Sequence, residues 1–342
     1  MHYDVFNGDA DGIIALLQLR LAQPKESVLV TGVKRDISLL KQVDIAQASA
    51  VTVLDISLEK NVEALQKLLD NDVDVLYVDH HRAGDIPKST HLKTLINTDA
   101  NTCTSLLIND YLQGQYVNWA IAAAFGDNMQ ASAKTLATKQ GLTATEQAQL
   151  NELGVYINYN GYGASVDDLH FDPADLYQAL LKYPDPFTLI NEENSIFWQL
   201  KTAYLADMAK AQQSQVLSDN DIVKTIVLED AAWSRRVSGV YGNELANQSP
   251  DKAHIVLTLN KAKSTEIIAK TNSAEGNIES SDKIAQSYTL SLRAPLNNKQ
   301  GAGDICASFP TGGGRAAAAG VNELPEINVP DFIKAVESYY QP

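Results

Sequence analysis

Cysteine is nearly absent from this 342-residue chain: Cys103 and Cys306 are the only two. That excludes a disulfide-stapled fold and any zinc site built on paired thiolates. Two small buried thiols in a reducing compartment are the expectation. Basic residues are also scarce, 27 Lys and Arg against 42 Asp and Glu, for a formal net charge of −15 at pH 7. Such a surface disfavours long nucleic acids, whose affinity rests on neutralising many phosphates. A small phosphorylated ligand stays compatible, because a few local cations dominate the field inside a cleft. No uninterrupted apolar run reaches the roughly eighteen residues of a membrane-spanning helix. The start, Met1-His2-Tyr3-Asp4-Val5-Phe6, lacks the basic and apolar regions of a secretory signal. The expectation is a soluble, cytoplasmic protein with no membrane partner.

What is present is ordinary globular material. Hydrophobic residues make up 45%, enough to exclude a largely disordered chain, and the length suggests two domains. The first half alternates apolar runs at 3–7, 28–33, 50–56 and 73–79 with helical periodicity at 12–21, 37–43 and 61–69. That alternation predicts an α/β fold with a doubly wound, mostly parallel sheet. Amphipathic stretches follow at 104–112, 117–125 and 131–139, then an aromatic and glycine-rich loop at 156–163. A long helix is predicted over 197–217. The pattern then changes to strands at 223–228, 254–259, 265–270 and 288–292, with a last helix near 330–339. The division expected is a catalytic domain over 1–190, a linker helix over 191–220 and a smaller α/β domain over 221–342. No internal repeat or low-complexity tract interrupts it.

Acids and imidazoles gather where the strands end. Asp9 and Asp11 sit at the first strand-to-helix junction, Asp55 closes the third strand, Asp79-His80-His81 closes the fourth, and Asp127 lies in a Gly-Asp-Asn turn. Ligands of doubly wound sheets collect at the carboxyl ends of the strands. Each acid alone reads as well as a helix cap or turn residue. The Asp-His-His run is harder to dismiss, since burying it without a use is costly. Hard divalent ions take carboxylate oxygens, and manganese or iron also accept imidazole. Two such ions would suit hydrolysis of a phosphate ester. Asp79 suits a residue that orients a metal-ligating histidine, which leaves His81 to face the phosphate.

This constellation resembles the DHH phosphoesterase superfamily, and Gly312-Gly313-Gly314 resembles its DHHA1 second domain. The motifs fall in the family's order along nearly the whole chain. The resemblance implies that Asp9 and Asp55 hold one ion and that Asp11, Asp55, His80 and Asp127 hold the other, with Asp55 bridging. It implies two divalent ions, manganese first and magnesium or cobalt as substitutes. One departure stands out: many relatives carry a histidine four residues before the first motif aspartate, where this chain has Val5. The first ion then lacks one protein ligand: either water or Asn7 completes it, or the ion binds weakly.

Thr311, Gly312, Gly313, Gly314 and Arg315 resemble the DHHA1 phosphate-binding loop, in which backbone N–H groups converge on an anion. Arg315 stands where relatives often have histidine, and its guanidinium can grip a phosphate in bidentate fashion. Arg293 matches a family position that contacts substrate. Lys34-Arg35 follows the second strand on the metal edge, making Arg35 a further candidate phosphate contact. His81 and Asp79 are the candidate catalytic pair. Tyr159, Asn160 and Tyr162 are candidates for a base-stacking lid. The function implied is hydrolysis of a short or signalling nucleotide, foremost a linear diribonucleotide such as pGpG or pApA, to nucleoside 5′-monophosphates. Cyclic dinucleotides, 3′-phosphoadenosine 5′-phosphate, single strands cut by an exonuclease, and a non-catalytic nucleotide sensor are the alternatives. The partner expected is that small nucleotide, with a homodimer possible and no long nucleic acid.

Overall fold

Residues 1–99, 101–260 and 286–341 are described in the computed structural model of this chain. They fall into two units, Met1–Ala206 and Asp207–Pro342. The first opens with β1 (His2–Phe6), α1 (Ala10–Ala22), β2 (Val28–Val30), β3 (Ala50–Leu54), α2 (Val62–Leu69), β4 (Asp74–Asp79) and β5 (Leu92–Ile96). These strands form one parallel sheet in the order β2-β1-β3-β4-β5. Period-two alternation divides their side chains between two cores. Val5, Val53 and Tyr77 pack toward α2 and the turn at Leu39–Gln42. Phe6, Leu54 and Val78 pack beneath α1 and the helices that follow. Burying each such side chain contributes about 1.5–3 kcal/mol, and cover on both faces makes these strands read as nearly continuous apolar runs.

The helical half comprises α3 (Thr104–Tyr111), α4 (Val117–Gly126), α5 (Gln130–Lys139), α6 (Ala144–Asn160), α7 (Pro173–Leu180), α8 (Pro186–Asn191) and the start of α9 (Ile196–Gln212). A reciprocal cap starts α6: the Thr143 hydroxyl accepts from the Glu146 N–H, and the Glu146 carboxylate accepts from the Thr143 N–H at 2.7 Å. The loop expected at 156–163 is therefore mostly helix. Tyr159 and Asn160 are fully buried there, and the Asn160 side chain is bonded to the backbone of His170 and Phe171. Neither can serve as a lid over a base.

One buried ionic cluster secures the amino end of the sheet. Asp4 on β1 accepts from Arg20 Nε at 2.8 Å and Ser27 Oγ at 2.6 Å, and His2 Nε2 lies 3.1 Å away. Burial alone would raise the Asp4 carboxyl, but the hydrogen bonds from Arg20 and His2, the Arg20 charge and Ser27 outweigh it and hold it at about 2. Its stabilising contribution is therefore complete above the unfolded value of 3.8 and is lost as pH falls toward 2. Asp4→Asn leaves the Arg20 guanidinium buried and uncompensated, a loss of about 3–5 kcal/mol. Urea denaturation at pH 7 checks this, and a change under about 1 kcal/mol would contradict it.

The second unit contains β6 (Gln215–Asp219), β7 (Val223–Leu228), α10 (Ala232–Gln248), β8 (Ala253–Leu259), β9 (Ser287–Arg293), α11 (Ala302–Ala307), β10 (Gly312–Gly314), β11 (Ala318–Pro325) and α12 (Val329–Tyr340). Its mixed sheet runs β10-β11-β9-β8-β7-β6. The helix expected over 197–217 stops at Gln212, because residues 215–219 pair antiparallel with β7; tertiary pairing overrides local helical preference there. Arg236 on α10 is buried against Asp207, its Nη2 2.7 Å from Oδ2. The strand expected at 265–270 lies outside the described residues. Among the described residues, no helix is long and apolar enough to cross a membrane.

Candidate metal centre

Strand register brings the acids together. Phe6 pairs with Leu54 and Leu54 with Val78, so β1, β3 and β4 end at one level and Asn7, Asp55 and Asp79 emerge side by side. This is where the strand order reverses between β2-β1 and β3-β4, the crevice in which doubly wound sheets bind ligands. Asp55 sits there with φ +60°, a left-handed conformation uncommon outside glycine and costing about 1–3 kcal/mol. Strain retained within an acid cluster points to use rather than to stability.

Asp11 is fully buried at the start of α1. Its two oxygens each accept at 2.7 Å from the backbone N–H groups of Thr104 and Ser105. These are orphan donors of the first turn of α3, and Cys103 at the cap position supplies no side-chain bond. The carboxylate is thus locked in orientation by a helix N-terminus. Thr104 also donates its hydroxyl to Asp55 Oδ1 at 3.2 Å. No sequence motif pointed to Thr102, Thr104 or Ser105, because their role depends on where a distant helix begins.

His80 supplies the strongest chemical statement. Its Nδ1 lies 3.1 Å from the Thr102 carbonyl oxygen, which can only accept. Nδ1 therefore carries a proton, and in the neutral ring Nε2 presents a lone pair. That lone pair faces Asp55 Oδ1 at 3.4 Å, Asp11 Oδ2 at 3.9 Å and Asp127 Oδ2 at 3.9 Å. Three carboxylate oxygens and one imidazole nitrogen converge on one point, a crowding that a cation inside would relieve. Ions bound to oxygen at about 2.0–2.6 Å place neighbouring ligand atoms at such separations. Asp11, His80 and Asp127 form one group with ligand atoms within 4.8 Å of one another, and Asp55, His80 and His81 form another. The donor set fits a divalent ion that accepts both carboxylate and imidazole.

The electrostatics carry the same strain. Burial, then the charges of Asp11, Asp9, Asp127 and Asp79, push the Asp55 carboxyl well above the usual carboxylate range. Burial likewise raises Asp127, against the opposing charge of Lys34. Asp79 is fully buried, and its Oδ2 has no hydrogen-bond partner. Its Oδ1 accepts from His81 Nδ1 at 2.8 Å. The histidine that Asp79 orients is thus His81, while His80 is oriented by a backbone carbonyl. Burial would lower His81, but the Asp79 hydrogen bond and charge, with Asp11 and Asp127, raise it.

Asp9 belongs to neither candidate ligand group, although its carboxyl lies beside that of Asp55. It caps α1, its Oδ1 accepting from the N–H groups of Asp11 at 3.0 Å and Gly12 at 3.1 Å. Its Oδ2 is bonded to the Lys34 ammonium. Lys34 also donates to Asn158 Oδ1 at 3.1 Å and lies 3.6 Å from Asp127 Oδ1. Burial would lower Lys34, but the charge of Asp9 and the further pull of Tyr162 and Asp127 raise it well above its usual value. Arg35, the neighbour singled out from the sequence, is exposed and has no ion pair or side-chain hydrogen bond among the described residues. The signal for Lys34 was its place at the end of β2, on the same carboxyl edge.

The remaining candidates belong to the second unit. Arg293 donates Nε to Asn243 Oδ1 at 2.6 Å, Nη1 to Ser291 Oγ at 2.8 Å and Nη2 to the Gly239 carbonyl at 3.0 Å. The glycine run forms the edge strand β10, with Gly314 opposite Ala319, beside the Ala318–Arg293 pair. A Cβ on Gly312 would lie 1.8 Å from the Cys306 carbonyl oxygen, whereas one on Gly313 would meet open space. Gly312 is thus a packing requirement, and Gly313 keeps an open approach to the backbone. Thr311 precedes the run at φ +62°, and Arg315 follows it, exposed and without a side-chain hydrogen bond or ion pair among the described residues.

No family model matches the sequence, and no curated protein matches it. Solved structures of similar fold do. The DHH domain of a member of a family of ribosomal proteins is 12% identical, over 99% of this chain and 86% of that one, with a TM-score of 0.60. A pGpG-specific phosphodiesterase, PggH from Vibrio cholerae, is 12% identical over 99% of each chain, with a TM-score of 0.56. RecJ from Thermus thermophilus in complex with Mn2+ is 15% identical over 99% of this chain, with a TM-score of 0.55, and this chain spans 52% of its length.

Proposed function

On the premise that this chain has the fold of the DHH-domain proteins, we propose that it is a metal-dependent phosphodiesterase of short nucleotides. The observation that carries this reading is the convergence of His80 Nε2 with the oxygens of Asp55, Asp11 and Asp127. Those four residues would hold a divalent cation, manganese first, with magnesium or cobalt as substitutes. When bound, the ion supplies a polarised phosphoryl oxygen and a water acidic enough to attack near neutral pH.

The chain's own residues do the rest. Asp11 is fixed by α3 and Asp55 by its backbone and Thr104, so the acids need no reorganisation during reaction. As the water oxygen bonds to phosphorus and the ester P–O bond breaks, the leaving oxygen takes a proton from His81 Nε2. Asp79 keeps that ring in place through Nδ1. Arg293, Arg315 and the backbone at Thr311–Gly314 are proposed to bind nucleotide phosphate. The net charge of −15 favours a short substrate over a long strand. The reading taken is a linear diribonucleotide such as pGpG or pApA, cut to 5′-monophosphates.

A panel of di-, tri- and cyclic nucleotides, incubated with the pure protein and manganese and resolved by chromatography, tests this. The expected result is 5′-monophosphates, fastest from the linear dinucleotides. His81→Ala should lower kcat about 10²–10⁴-fold while the protein still binds manganese, and Arg293→Ala should act mainly on KM. No cleavage of any member of the panel would refute the assignment.

A further inference from the structure

Asp9, at the edge of the acid cluster, is already paired with a cation of the chain itself. One Asp9 oxygen is taken by two backbone N–H groups and the other by the Lys34 ammonium. Asn7 is already engaged: its Oδ1 accepts from the Asp9 N–H at 3.2 Å, and its Nδ2 donates to the Lys34 carbonyl at 3.2 Å. Val5 points away, buried in the core on the α2 face of the sheet.

Lys34 is held at both ends. Its backbone N–H donates to the Gly161 carbonyl at 2.8 Å, and its carbonyl accepts from Asn7. Its ammonium reaches Asp9, Asn158 Oδ1 at 3.1 Å and Asp127 Oδ1 at 3.6 Å, and lies 5.6 Å from the centre of the Tyr162 ring. The partner Asn158 is neutral and is placed by α6, so this position is built for an ammonium rather than borrowed from the acids. The Lys34 side chain is still 24% exposed, which leaves it within reach of a bound ligand.

We propose that the Lys34 ammonium is the second cation of this centre, bridging Asp9 and Asp127, and that each chain takes up one divalent ion rather than two. The proposal rests on the phosphodiesterase reading and specifies its site. An ammonium offers three N–H donors and a compact charge. It can neutralise a phosphoryl oxygen beside the caged ion, as a second metal would. It cannot acidify a water as a dication does, so that task falls to one ion at Asp11, Asp55, His80 and Asp127, a site that shares Asp55 and His80 with the Asp55–His80–His81 group. A dication bound at Asp9 would have to displace Lys34 from Asp9, Asp127 and Asn158 together.

Counting manganese tests it without reference to activity. The full-length protein, dialysed against Mn2+ and freed of excess, should contain one ion per chain by plasma mass spectrometry. Its electron paramagnetic resonance should be that of an isolated Mn2+. Two ions per chain, or an exchange-coupled pair, would overturn the proposal, and nucleotide cleavage alongside such a pair would leave the functional reading standing. Lys34→Gln should retain the one ion and lose about 10²–10³-fold in kcat, with Lys34→Arg recovering part of that loss. Full turnover in Lys34→Gln would also overturn it. If Lys34→Gln does not fold, the count on the unaltered protein still decides. One bound ion with no nucleotide cleaved overturns the functional reading instead.

Discussion

Asp55→Asn is expected to abolish hydrolysis and, in the same variant, to raise the melting temperature of the metal-free protein. Asp55 is buried among Asp11, Asp9, Asp127 and Asp79, and its carboxyl is pushed well above the usual range. A carboxyl with a raised folded-state value binds protons more tightly folded than unfolded. Its contribution therefore turns unfavourable as pH rises above the unfolded value, and the penalty grows until the folded group has ionised. Asparagine removes that charge, still accepts the Thr104 hydroxyl bond, and tolerates the left-handed backbone at φ +60° better than most residues. A gain of about 1 kcal/mol or more is expected, which is about 2–4 °C for a domain of this size. Turnover should fall by about 10³-fold or more, since a carboxylate lining the cage is gone. Thermal melts in chelator at pH 8, beside the nucleotide assay, check both halves. A variant that melts lower in chelator, or that still turns over, would contradict the account.

The second large effect is the converse. Manganese should stabilise the unaltered protein strongly, because the ion relieves repulsion that the fold otherwise bears. At a free concentration about 1,000 times the dissociation constant, binding contributes about 4 kcal/mol, and that corresponds to a rise of about 8–16 °C. The same manganese should move the Asp127→Asn and His80→Ala variants much less, because each lacks a ligand to the cage. An equal shift in all three proteins would place the ion elsewhere.

β1, β3 and β4 were legible because they are buried on both faces and read as apolar runs that lead to an acid, whereas the half-buried edge strand β5 was not. Asp9, Asp11, Asp55 and Asp79-His80 needed only that strand ends share an edge, and the register of β1, β3 and β4 supplies this. Three further features were not legible, for different reasons. The remote cap that Asp11 places on α3 depends on a tertiary approach between residues 93 and 94 positions apart. β6 has a short apolar pair, Val216-Leu217, which carries no period long enough to separate strand from helix. The choice between Lys34 and Arg35 turns on which way one loop residue points, and only the anchors at Gly161 and Asn7 fix it.

The account stands on four residues sharing one ion, and anomalous diffraction at the manganese edge from a crystal grown with Mn2+ reads that directly. The expected map shows a single strong peak within about 2.0–2.6 Å of Asp11, Asp55, His80 and Asp127, with Lys34 still on Asp9. A map with no peak among those four side chains, or with its peak at another place in the chain, would contradict it.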